Sequence, residues 1–303
     1  MKRIRLITQV WLISIAIGGS CLIDIAAQQG DQTRGLHVKK IEESRPASIG
    51  PIDPNQPRTY RSTNSKALSS ELRKSATASE AVVGVTLWRL RAVKAADNDG
   101  ARILEQKSSR KTEWAGERIE ADAQLNEGDR VRLSIESPAN GYLYVIDREQ
   151  YDDGSMGDPY LIFPTTHTRG GNNSVAAGRV IEFPAQEDEP PYFVLTRSRA
   201  EHIGESLIMI VAPQPLGGMQ PGPEPIRVPS EKLAAWEKDW GGTTERFELE
   251  GGGGMPYSNA EKLAGESGSR MLTQSDPLPQ TILRVSSKPG SPVLVRVVLR
   301  IAK

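Results

Sequence analysis

Four aspartates, Asp147, Asp152, Asp153 and Asp158, fall within the stretch GYLYVIDREQYDDGSMGDPYLIFPT at residues 141–165. Carboxylates this close together serve two kinds of chemistry, ligation of a hard cation such as calcium and paired acid/base catalysis. A calcium loop spaces its Asp and Asn ligands at every second position around a glycine bend. These four are irregularly spaced and hold no Asp-x-Asp-x-Asp core. Catalysis would need a second anchor that the rest of the chain does not supply. The preferred reading is a solvated β-hairpin turn between apolar runs at 142–146 and 160–163, with calcium ligation and carboxylate hydrolysis as the alternatives.

The three histidines are His37, His167 and His202. Activation of a serine by His167 or His202 would call for a Gly-x-Ser-x-Gly elbow, which is absent. Two histidines without cysteines also make a poor zinc set, so both read as surface histidines on loops. GGGG at 251–254 follows an apparent strand, ERFELE, and precedes a helix start at Ser258. It lacks the Lys-Ser/Thr of a phosphate-binding loop and the spacing of a dinucleotide fingerprint, and reads as a flexible linker. THTRGGNNS at 166–174 reads as a polar loop whose Arg169 and glycine amides could hold an anion weakly. No catalytic, cofactor-binding or metal-ligating set is assigned.

The elements that must position these residues are short strands. From Val82 onward, apolar runs alternate with Gly, Asp, Asn and Pro, as expected of an all-β domain. RVRLSIE alternates strictly, with Val131, Leu133 and Ile135 on one face, and reads as a half-buried strand. AVVGVTLWRLRAV and SLIMIVA are apolar on both faces and suit central strands. In GYLYVID the tyrosines Tyr142 and Tyr144 share a face with Ile146. Further strands are expected at 179–184, 192–197, 281–286 and 292–302. The last carries Val293, Val295, Val297, Leu299 and Ile301 on one unbroken face and belongs to the core. SEKLAAWEKDWGG reads as a helix starting at Ser230 and stopped by Gly241, with Leu233, Trp236 and Trp240 pinning it to the sandwich. A second short helix is expected from Ser258 to near Gly265. The spacing favours an antiparallel β-sandwich, immunoglobulin-like or jelly-roll-like, with one or two short helices in a C-terminal extension.

The N-terminus has a different texture. Lys2, Arg3 and Arg5 precede an uncharged apolar stretch at 6–23 and the small residues Ala26 and Ala27, the layout of a secretory signal peptide over residues 1–27. An uncleaved anchor, or a lipid on Cys21, which follows GGS, are the alternatives. Cys21 is the only cysteine, so the mature chain would hold no disulfide, thiolate zinc site or cysteine nucleophile. Residues 28–80, with RPASIGPIDPNQPRTYRSTNS at their centre, are expected to form a disordered tether. The folded domain is then 81–303. Thirty-eight basic residues balance thirty-eight acidic ones, so no global field favours nucleic acid, and contact with a membrane is expected only through the N-terminal segment.

Four motifs act as a set: Glu127–Arg130 ahead of a strand, Gly141–Tyr144, Leu161–Pro164, and Gly178–Pro184. Together they resemble a bacterial family of unknown function whose members are envelope or secreted proteins, and whose module is also appended to serine/threonine kinases and caspase-like peptidases. The resemblance covers 82–213, with 214–303 as an extension. It implies a β-sandwich module without an enzymatic role and transfers no catalytic residues. On the residues themselves, Gly-Asp makes a turn, Arg130 is expected to neutralise a neighbouring acid, and the tyrosines pack on a pleated face. The expectation is a non-catalytic exported module, periplasmic or secreted, that binds a partner protein or an envelope polymer.

Overall fold

The structure, a computed structural model, describes residues 37–48, 50–63, 79–97, 101–107, 110–266 and 270–302. The expected signal segment and Cys21 lie outside the described residues, as do positions 28–36 and 64–78 of the expected tether.

Two sheets pack face to face. The first has nine strands and runs in the order β1 (Tyr60–Ser62), β14 (Thr244–Leu249), β15 (Thr281–Ser287), β2 (Ser79–Ala92), β4 (Arg110–Ile119) and β3 (Arg102–Lys107). β6 (Arg130–Glu136) pairs with β2, and β10 (Val180–Phe183) and β11 (Phe193–Val194) pair with β6. The second has seven strands: β13 (Ile226–Arg227), β8 (Tyr160–Phe163), β7 (Gly141–Tyr151), β12 (His202–Ala212), β16 (Val293–Ile301) and β5 (Gln124–Leu125), with β9 (Ser174–Val175) on β7. Among the described strands only β5 pairs in parallel, with β16. The all-β sandwich with a few short helices is therefore the observed fold.

The inner faces follow the alternation in the sequence. Val83, Val85 and Leu87 of β2, Val131, Leu133 and Ile135 of β6, Leu143 and Val145 of β7, Leu207 and Met209 of β12, and Val295, Val297 and Leu299 of β16 form one buried core. Phe163, Phe183 and Phe193 cross it from one sheet to the other, with ring centroids 5.3 and 4.8 Å apart. β15 and β16 belong to residues 214–303, so the stretch 82–213 contributes only part of this core.

Both outer faces are covered too. Helix α2 (Ser230–Trp240) lies on the second sheet: Leu233 is fully buried against Tyr144, Ile146, Ile208 and Ile210, with Tyr142, Trp236 and Trp240 packed at the margin. The two tryptophans stack at 5.4 Å, and Gly241 ends the helix as expected. On the first sheet, helix α3 (Asn259–Gly265) opens with a capping box between Ser258 and Glu261, and Glu261 pairs with Arg118, whose guanidinium lies over Trp88.

Residues 37–63 depart from the expected tether. Residues 37–44 form helix α1, whose Ile41 is fully buried against Val82, Phe247 and Ile282. Tyr60 is 3% exposed, and its hydroxyl donates to the Pro279 carbonyl. Composition hid this because few apolar residues are used and much of the docking is polar: Arg45 forms a buried ion pair with Glu136. The same pairing corrects the reading of β6. Its polar face is buried as well, with Arg132 on Glu182 and Glu136 on Arg45.

Three further expectations change. GGGG at 251–254 is an ordered turn: Gly254 donates to the Arg118 carbonyl at 2.9 Å, and a side chain at Gly252 would collide with Gln280. The strand expected at 192–197 shortens to Phe193–Val194. The β3–β4 hairpin has no counterpart in the sequence reading, because β4 buries Arg118, above Trp88, rather than an apolar row.

Candidate functional site

The acidic stretch does not converge. Register pairs Asp147 with Tyr160 and Leu207, so β7 runs past the expected strand end and carries Asp147 inside the sheet rather than in the loop. Asp152 and Asp153 lie in the turn, where Asp153 accepts from the Ser155 amide at 2.8 Å and Gly154 takes φ 82°. Asp158 faces Arg227 across β8 and β13, accepting two hydrogen bonds at 2.8 and 3.0 Å in an exposed ion pair. No grouping of three or more metal-ligating side chains occurs among the described residues.

Strand alternation gives Asp147 a different set of neighbours. Asp147 and Glu149 share a face with Leu143 and Val145, and Glu205 is cross-strand from Glu149 on β12. The sandwich core therefore ends in acid. Burial pushes both the Asp147 and the Glu205 carboxyls above the usual carboxylate range, and Asp147 Oδ1 and Glu205 Oε2 are buried without hydrogen-bond partners among the described residues. Glu205 is raised further by the charges of Asp147 and Glu149. His202 closes the group, with Nε2 3.3 Å from Glu205 and Nδ1 accepting from the Ser198 amide at 3.2 Å.

His202 is thus buried at the start of β12 and not a surface histidine, whereas His167 is exposed. Its ring partners are the Gly204 carbonyl and the Ser198 amide, so no serine hydroxyl stands ready for activation. His37 packs on Phe247 at 5.2 Å and is pushed down to about 4 by burial. Arg130 forms no ion pair among the described residues. Its guanidinium lies over Trp114 at 4.3 Å and Tyr192 at 5.3 Å.

At the opposite end of β7 and β12 the two sheets part to leave a cleft of about 550 Å³. Ala81, Val82, Val83, Val211 and Val293 supply its apolar lining, and Lys40, Glu43 and Lys288 stand among its polar walls. One wall is a strand edge. β6 pairs with β2 only from Gly84 onward, through Glu136, so Ser79–Val83 of β2 runs free of a strand on that side. The Lys40 ammonium donates to the Glu80 carbonyl there at 2.8 Å. No residue pattern announces this cleft, because it arises where strands of unequal length end. No helix of the described residues is long and apolar enough to cross a membrane. Comparison with protein-family models, with curated proteins and with solved structures returns no match.

Proposed function

We propose that the chain is a non-catalytic, exported binding module that takes an extended segment of a partner protein into the cleft between its sheets. The observation that carries the reading is the free Ser79–Val83 edge of β2 facing an apolar, 550 Å³ cleft. Unpaired backbone beside an apolar floor is the arrangement that adds a peptide as a strand, with main-chain hydrogen bonds giving affinity and alternate side chains giving specificity. No aromatic side chain lines the cleft, which disfavours stacking of a sugar ring and hence an envelope glycan. The basic-then-apolar start of the sequence supports export. The four-motif resemblance to an envelope or secreted family supports it too, and its motifs form the turn into β6 and the strands β7, β8 and β10.

The test is panning of a peptide-display library against the full chain, followed by titration of the selected peptides. Affinities in the micromolar range are expected, falling by about tenfold or more when the cleft is filled by Ala139→Trp or Ala81→Trp. The proposal fails if no peptide is selected, or if the selected peptides bind the filled variants equally well. Binding of purified cell-wall polymer alone would transfer the partner role to the polymer.

A second reading, hydrolysis, is favoured by one observation: Asp147 and Glu205 each bury a carboxyl oxygen that lacks a hydrogen-bond partner among the described residues, at the same end of the core. Carboxyls whose surroundings separate their affinities for protons are the usual acid and base of a hydrolase. Turnover on a peptide or glycan library that is abolished by Glu205→Gln and Asp147→Asn would establish it; no turnover on any library would end it.

A further inference from the structure

Three unfavourable features meet at Arg169. It is the one non-glycine residue with positive φ among the described residues, at 53°, followed by Gly170 at 61° and Gly171 at 82°. A left-handed backbone on an ordinary residue is strained and persists where something else fixes it. The Arg169 Nη1 is buried and lacks a hydrogen-bond partner. Arg179 stands close enough to repel it, adding to the cost of burial. Among the described residues neither arginine forms an ion pair. The nearby acids leave Nη1 unpaired among the described residues: Glu187 attracts Arg169 more than Arg179 repels it but gives Nη1 no hydrogen bond, and Glu182 is already held by Arg132, Gln186 and Tyr257.

The two arginines line a recess of about 30 Å³ with Ser174, Glu182, Gly265 and Glu266. That is room for a water-sized group, or for the oxygens of an anion whose remainder stays at the rim. We infer that Arg169 and Arg179 form a binding site for an oxyanion, a phosphate, sulfate or carboxylate group. A guanidinium fork satisfies two oxygens at once, so one such group partners Nη1 and screens Arg169 from Arg179, and with these offset the left-handed turn at 169–171 is held. The site is separate from the β2 cleft and stands whether or not a peptide binds there.

The test is titration of the full chain with inorganic phosphate at constant ionic strength, followed by calorimetry and by melting temperature, with sulfate and acetate as parallel probes and chloride as the control. A saturable rise in melting temperature is expected with the oxyanions and not with chloride. Arg179→Met should weaken phosphate by about tenfold or more. Arg169→Gly relieves the backbone, so it should melt at or above the wild-type temperature without phosphate, yet lose the response. Equal responses in chloride and phosphate, or a phosphate response retained in both variants, would overturn the inference. So would an Arg169→Gly variant that folds less stably than wild type without any anion present, because the arginine would then be structural. The pattern across phosphate, sulfate and acetate separates a tetrahedral from a planar ligand.

Discussion

Arg45 and Glu136 are joined by two parallel hydrogen bonds of 2.7 Å, from Nε and Nη2 of the guanidinium to the two carboxylate oxygens, across 91 positions of sequence. Both residues are 3% exposed, and the remaining Nη1 donates to the carbonyls of Thr273, Asp276 and Pro277. The pair therefore ties α1, the end of β6 and the 273–277 turn into one unit.

Removing one partner of such a pair leaves a buried charge behind. Arg45→Ala is expected to cost about 3 to 5 kcal/mol in chemical denaturation, and the double replacement Arg45→Met with Glu136→Leu to recover much of it. A loss below about 1 kcal/mol would place residues 37–48 off the domain in solution.

The C-terminal strand should be indispensable. β16 pairs with β12 from Gly204 to Val211 and buries Val295, Val297 and Leu299. A chain ended before Val293 is expected to lack a cooperative unfolding transition, and the 82–213 stretch alone should fail likewise; a sharp transition from either would contradict the layout of the core.

Stability should fall as pH rises from mildly acidic values. Burial raises the Asp147 and Glu205 carboxyls, and it pushes Glu248, hydrogen-bonded to Thr281, up to about 7. Unfolded carboxyls titrate near pH 4, so above that the unfolded state releases its protons first and gains ground. The contribution of Glu248 is full below about pH 4 and lost as pH climbs through 7, with Glu205 extending the loss to higher pH. His37 acts in the opposite sense, since a pKa lowered to about 4 removes stability on the acid side. Melting curves across pH should show a maximum on the mildly acidic side, and Glu205→Gln should flatten the alkaline decline. An unchanged decline in that variant would remove the carboxyl pair as its cause.

Chelation should leave the melting temperature unchanged. Asp153 is bound to its own turn and Asp158 to Arg227, so the stretch offers no shared centre for calcium. A drop in melting temperature with excess chelator, reversed by calcium, would reinstate the metal reading.

Much of this architecture was readable because alternation survives in the strands that form the core. Val131, Leu133 and Ile135 and the row from Val293 to Ile301 are assignable to one face from their alternation alone, as are Leu233, Trp236 and Trp240 beneath a helix from their helical spacing. What failed to read shares a physical cause. β4, α1 and the polar face of β6 are buried through Arg118, Arg45 and Arg132, each on a carboxylate, and periodicity of apolar residues is blind to such pairs. The acidic stretch misled for a related reason. Position along the chain groups Asp147 with Asp152, Asp153 and Asp158, whereas the buried carboxyl beside it, Glu205, lies across the sheet on β12.

The pairing of β2 with β15 also sets a timetable. Ser79–Val85 and Thr281–Ser287 are adjacent in space and about two hundred positions apart in synthesis, and β16 follows later still. No complete core exists on the ribosome until residue 301 has been made, and a sheet closed by such distant segments folds slowly. For a chain proposed to leave the cytosol, that delay is useful: the nascent protein stays threadable through a translocation channel and locks only after its last strand arrives.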